Sequence, residues 1–249
     1  MTNDLDYRWV APDEALADFV ESFWRLGNQA NSDKEIIVLP DGRIDLIFSP
    51  SATGPVQATL LGVGTRPDQA VLTAKTQMFV ISFKLLATEY IFHDSVSGLL
   101  NSAKNLPAGF WDFTAADLAD FDLFCQKSTQ RIRALLPQEI DGRKRKLFDL
   151  LYASNGCCAV RELAEQVGWS SRQINRYFNQ QYGLSLKKYS SILRFRASFQ
   201  HLKAGKLFPQ QSFADQSHFI REIKKLSGVL PKDLSRNQND RFIQFSTLL

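Results

Sequence analysis

"ELAEQVGWSSRQINRYFNQQYG", residues 162–183, decides how the second half of this chain folds. Val160, just ahead of it, lines up with Leu163, Ala164 and Val167 in one apolar stripe at helical spacing. Gly168 follows where a helix end calls for a left-handed residue. Ser170 then stands as the N-cap of a second helix, and Gln173, three positions on, completes a capping box. Ile174, Tyr177 and Phe178 make the inner face of that second helix. Two short amphipathic helices this close together predict a helix-turn-helix, with Ala164 small enough for a close crossing and Gly168 making the turn.

The outer face of the second helix carries Arg172, Asn175 and Arg176 at positions i, i+3 and i+4, so they project together. Arginine can fork onto guanine and asparagine onto adenine, which is the chemistry of a helix lying in a DNA major groove. The alternative is an α-hairpin whose polar face is merely solvated.

Charge supports the first reading. Residues 1–138 hold 11 Lys+Arg against 17 Asp+Glu, a net of −6, whereas residues 139–249 hold 19 against 9, a net of +10. A basic half joined to an acidic one points to a polyanionic partner, although a basic surface without a partner would look the same. "GRKRK" (Gly142 to Lys146) sits where the sign changes. The expected domains are therefore 1–137 and 138–249.

Beyond Gly183, "SLKKYSSILRFRASFQHLKAG" reads as one continuous helix with Tyr189, Ile192, Leu193, Phe195 and Phe199 inside. A second cassette follows in "FADQSHFIREIKKLSGVLPKDL", with Asp215 as N-cap and Phe219, Ile223 and Leu226 inside. From about Val160 to Leu234 the chain resembles the DNA-binding domain of AraC/XylS-type transcriptional regulators, which has two helix-turn-helix units joined by a long helix. That resemblance implies base-reading positions at Ser171, Arg172, Asn175 and Arg176 in the first unit, and at Gln216, Ser217, His218 and Arg221 in the second. It implies double-stranded operator or promoter DNA as partner, with RNA polymerase, a small-molecule effector and a second copy of the chain as further ones. One departure stands out. "GKLFPQQS" (Gly205 to Ser212) has no Ala-x-x-x-Gly pattern and contains a proline, so the supporting helix of the second unit is expected to be short or missing. An irregular brace, with Phe208 packed on the second reading helix, is expected instead.

The first half reads as α+β, strands first and helices after. "EIIVLPDGRIDLIF" is two β-rich runs around a "PDG" turn, and "ATLLGVGT" and "AVLTAKTQMFVISFKLL" are again rich in β-formers. "PDEALADFVESFWRL" places Leu16, Phe19, Val20, Phe23 and Trp24 at helical spacing, and "TAADLADFDLFCQKSTQRIRALL" does the same for Leu118, Phe121, Cys125, Ile132 and Leu135. "PDG…DLIF" resembles domains found ahead of some such regulators. The whole chain is thus an α+β N-terminal domain followed by an all-α double helix-turn-helix domain.

Little in the first half suggests catalysis. His93 has no second ligand at metal spacing, and "GVGT" lacks the lysine of a phosphate loop. Asp41 and Asp45 flank a turn, where acids usually accept local backbone bonds. Trp24, Phe48, Phe79 and Phe83 either line an apolar ligand pocket or fill a core. Cys125, Cys157 and Cys158 cannot build a disulfide framework, and no run is long and apolar enough for a membrane span or secretory signal. The expectation is a cytoplasmic, non-enzymatic DNA-binding regulator with no cofactor and no metal. Two alternatives are a small-molecule-binding or cupin-like enzyme with an appended nucleic-acid-binding module, and a binder without sequence preference.

Overall fold

The computed structural model describes residues 4–51, 54–208, 213 and 215–247. The chain forms two compact units. The first gathers Met1–Lys34, Arg43–Gly62 and Val71–Ile140, and the second gathers Glu35–Gly42, Val63–Ala70 and Asp141–Leu249.

Among the described residues, eight strands run through the first part of the sequence: β1 (Leu5–Val10), β2 (Val20–Asn28), β3 (Lys34–Val38), β4 (Ile44–Ser49), β5 (Gln57–Leu61), β6 (Asp68–Leu72), β7 (Gln77–Phe83) and β8 (Ala103–Asn105). Six of them make an antiparallel sheet in the order β1-β2-β7-β4-β5-β8, while β3 and β6 form a separate pair. The two β-rich runs around "PDG" therefore join different sheets. On β4, Ile44, Leu46 and Phe48 are buried and alternate with half-buried neighbours, the pattern of a strand with one face on a core.

After a short helix α1 (Ala87–Tyr90), helix α2 (Phe121–Leu135) covers that face. Asp120 caps α2 by accepting from the amides of Asp122 and Leu123. Its buried residues Phe121, Phe124, Ser128 and Ile132 make one stripe against β2 and β7. Phe48, Phe79 and Phe83 are fully buried, and ring centroids 5.3 Å apart join Phe79 to Phe124. These aromatics fill a core.

The first half departs from its sequence pattern at two places. The stretch from Pro12 to Leu26 is a single 3-10 turn (Glu14–Leu16) followed by strand β2. A bulge between Val20 and Ser22 and burial on both faces space its apolar residues like a helix, while pairing on two edges makes it a strand. Asp45 lies within β4, where its carboxylate accepts from Ser82 Oγ at 2.5 Å, and Ser82 accepts from Trp24 Nε1 at 2.8 Å. It is a strand acid in a side-chain network.

From Gly142 onward the elements among the described residues are helices: α3 (Gly142–Ala153), α4 (Val160–Val167), α5 (Ser171–Tyr182), α6 (Leu186–Ala197), α7 (Phe199–Lys203), α8 (Gln216–Ser227), α9 (Pro231–Arg236) and α10 (Ile243–Ser246). The expected continuous helix is broken at Ser198, whose hydroxyl bonds back to the Phe195 carbonyl at 2.6 Å and ends α6. No helix among the described residues is long and apolar enough to cross a membrane.

The second unit also takes in two segments from early in the sequence. Tyr189 of α6 is fully buried and donates its hydroxyl to the Gly42 carbonyl at 2.8 Å. Gly42 has φ +81, and a Cβ there would stand 3.1 Å from the Tyr189 ring. The Gln244 side chain pairs with both backbone groups of Leu39 at 2.9 Å, and Ile37 bridges to Phe242.

Candidate nucleic-acid interface

The α4–α5 pair is built by local chemistry. Leu163, Ala164 and Val167 are buried, and Gly168 ends α4 at φ +68 with its amide bonded to the Ala164 carbonyl. The Ser170 hydroxyl accepts from the Gln173 amide at 3.2 Å, and Gln173 Oε1 accepts from the Ser170 amide at 2.8 Å. This reciprocal capping box starts α5 with only three residues between it and α4. At the far end Gly183, φ +74, closes α5.

The inner face of α5 rests on an aromatic layer. Ile174, Phe178 and Tyr182 are fully buried, with Phe178 5.8 Å from Phe148 of α3 and 5.8 Å from Tyr189 of α6. The hydroxyls of Tyr177 and Tyr182 meet at 2.9 Å, so that polar pair is satisfied.

Outward, Ser171, Arg172 and Arg176 are exposed. Asn175 is half-buried and its amide nitrogen donates to the Ser171 carbonyl at 3.0 Å, which leaves its side-chain carbonyl for other donors. The sequence-derived quartet thus lies along one helix face.

The second quartet is placed less uniformly. Asp215 caps α8 by accepting from the His218 amide at 2.7 Å, and Gly228 ends it at φ +78. Ser217 and Arg221 are exposed, and His218 is half-buried with its ring 5.8 Å from Phe213. Gln216 turns back instead: its Nε2 donates to the Leu207 carbonyl at 2.8 Å, and its Oε1 is buried without a partner. Fully buried Phe219 meets Phe213 edge-on at 5.0 Å and the His201 ring at 5.9 Å. Phe208, expected to do this packing, is 69% exposed. The correction has a simple cause: Phe213 and His201 already occupy the site. The rest of the expected brace, residues 209–212, lies outside the described residues.

Burial shifts two groups around these helices. It pushes the Lys188 ammonium below its ordinary range, helped by Lys225. It likewise lowers His201, with Lys206 adding repulsion, so His201 favours the neutral ring. Among the thiols, burial pushes Cys125 up to about 12 and also raises Cys158, so neither favours the reactive thiolate. No group of three or more His, Cys, Asp or Glu that could hold a metal ion occurs among the described residues.

Several contributors escaped the sequence reading. Arg194 donates to the Gly156 carbonyl at 2.6 Å and ties the α3–α4 turn to α6. The Arg143 guanidinium sits 5.6 Å from the Trp169 ring in the turn between α4 and α5, and the Lys144 ammonium 5.2 Å from Tyr177. The basic run "GRKRK" was visible, but its aromatic partners lie over twenty residues away in sequence. In the first unit, a cleft of about 240 Å³ is bordered by Leu26, Asn28, Leu72, Thr76 and Met78.

A family model described as a domain of unknown function (DUF6597) matches residues 8–105. No curated protein matches this chain. Among solved structures, one from Chromobacterium violaceum, described as a transcriptional regulator among AraC-type DNA-binding domain-containing proteins, is 21% identical. The match covers 39% of this chain and 92% of that one, with a TM-score of 0.33. ToxT from Vibrio cholerae is 12% identical over 93% of this chain and 97% of its own, with a TM-score of 0.43. A fatty-acid-bound form of wild-type ToxT gives 12%, 92%, 93% and 0.42 for the same quantities. TM-scores this low describe partial overlap of the folds and nothing more.

Proposed function

We propose that this protein is a sequence-specific DNA-binding transcription regulator in which α5 reads one major-groove segment and α8 a second. The observation that carries the reading is the α4–α5 pair. A fully capped helix is seated on a buried aromatic layer and presents Ser171, Arg172, Asn175 and Arg176 outward together. A helix held at both ends keeps its side chains in register with base edges, which direct readout requires. The surrounding basic charge provides the sequence-independent part of the affinity through phosphate contacts.

The α8 reader is the weaker of the two, because Gln216 is committed to Leu207 and leaves Ser217, His218 and Arg221 for base contact. The first unit serves as the sensory part, with the cleft of about 240 Å³ as a candidate effector site. The test is selection of bound fragments from genomic DNA by the full chain. Recovery of one shared sequence motif, protected over two successive major-groove segments, is the expected result. Fragments without a shared motif would sink the reading and leave a binder without sequence preference.

A further inference from the structure

The start of α3 is strongly basic: Arg143, Arg145 and Lys146 are exposed and Lys144 is half-buried. Asp141 caps α3 through the Arg143 amide at 2.9 Å and also accepts from the Arg143 side chain at 3.2 and 2.9 Å. That fork uses two of the five N–H donors of the guanidinium and leaves the others directed elsewhere. An ion pair this exposed contributes little to stability, so fold maintenance alone does not account for it.

Its position is more informative. Arg143 lies on Trp169, the residue immediately before the Ser170 cap, and Lys144 lies on Tyr177 of α5 itself. Arg143 is therefore held beside the N-terminal end of the reading helix and Lys144 against its middle, by two separate aromatic rings. A helix entering the major groove with that end leading brings whatever flanks it towards the phosphates at the groove edge. Neither cation belongs to the outward reading face of α5, so neither is placed to meet base edges.

We propose that Arg143 and Lys144 grip the phosphate backbone of the duplex that α5 reads, making the first turn of α3 a clamp beside the reading helix. This rests on the DNA-binding reading above. The clamp fixes how α5 lies in the groove and carries no sequence information itself.

The experiment measures binding of the full chain to a selected operator and to a random duplex across a salt series. Arg143→Gln with Lys144→Gln is compared with Lys146→Gln. Lys146 is two residues before buried Phe148 and so lies about 200° round the helix from it. Circular dichroism and thermal unfolding establish that each variant is folded, and Lys144→Gln alone serves if the pair is not. Losing two phosphate contacts should flatten the log–log salt slope by about 1.8, so the wild-type loss between 50 and 200 mM salt should exceed the variant's by roughly tenfold. Operator and random DNA should be weakened alike, and Lys146→Gln should leave the slope unchanged. An unchanged slope in the double variant, or an equal effect from Lys146→Gln, overturns the clamp. Wild-type binding with a steep slope but no operator preference would overturn the reading of function and leave the clamp standing. Absence of any DNA binding would overturn both.

Discussion

Two glycines offer a matched pair for weighing one contact. Gly156, between α3 and α4, has φ +70, and Gly168, after α4, has φ +68. An alanine at either site must adopt the left-handed region, at a cost of roughly 1–2 kcal/mol. The gain from stiffening the unfolded chain is also common to both, roughly 0.4–1 kcal/mol. They differ in their neighbours. A Cβ on Gly168 meets nothing within 4 Å, whereas one on Gly156 would stand 2.5 Å from the Ser190 carbonyl oxygen and 2.8 Å from Ser190 Cα. Both atoms are backbone in the middle of α6, so no side-chain rotation relieves the overlap. Either α6 retreats or the α3–α4 turn lifts, which also breaks the 2.6 Å bond from Arg194 to the Gly156 carbonyl. Overpacking of this kind costs about 1–3 kcal/mol. Gly156→Ala should therefore be the more destabilising of the two by about that amount. Urea unfolding of the full chain measures it, with hydrogen exchange on α3 to α6 to localise the effect. Equal losses for the two variants would refute the close approach of the turn to α6.

Three further outcomes follow from the same unit. Tyr189→Phe removes the donor to the buried Gly42 carbonyl and should lower stability by about 1–3 kcal/mol, with faster amide exchange at residues 37–42; unchanged exchange there would contradict the contact. His201 has a folded pKa below the ordinary 6.5, so the unfolded chain binds more protons and stability should fall as pH drops through and below 6.5. His201→Phe keeps a ring against Phe219 and should lose less stability than wild type between pH 7 and pH 5; parallel pH profiles would remove His201 as the cause. Arg172→Ala or Arg176→Ala should each cost about 1–3 kcal/mol of operator binding with little change on random DNA, and more preference than Gln216→Ala or Arg221→Ala. The reverse order would make α8 the principal reader.

The sequence by itself determined the elements whose bonds close within a few residues. Gly168 sets the end of α4, and Ser170 with Gln173, and Asp215, set the starts of α5 and α8, each in the structure as the spacing requires. Caps and glycine stops satisfy backbone groups three or four positions away, so the information lies in one short window. The inner faces of these helices were legible for the same reason. Contacts between distant residues were decided only by the tertiary structure. Val20 to Leu26 repeats like a helix, yet β1 and β7 on either side make it a strand. The sequence put Phe208 against Phe219, whereas in the structure Phe213 covers that ring and Phe208 is exposed. Glu35–Gly42 joins the helical unit because Tyr189, Phe242 and Gln244 receive it, all of them about 150 to 205 residues further along. Local periodicity cannot encode such pairings, since they depend on which surfaces the folded helices leave open.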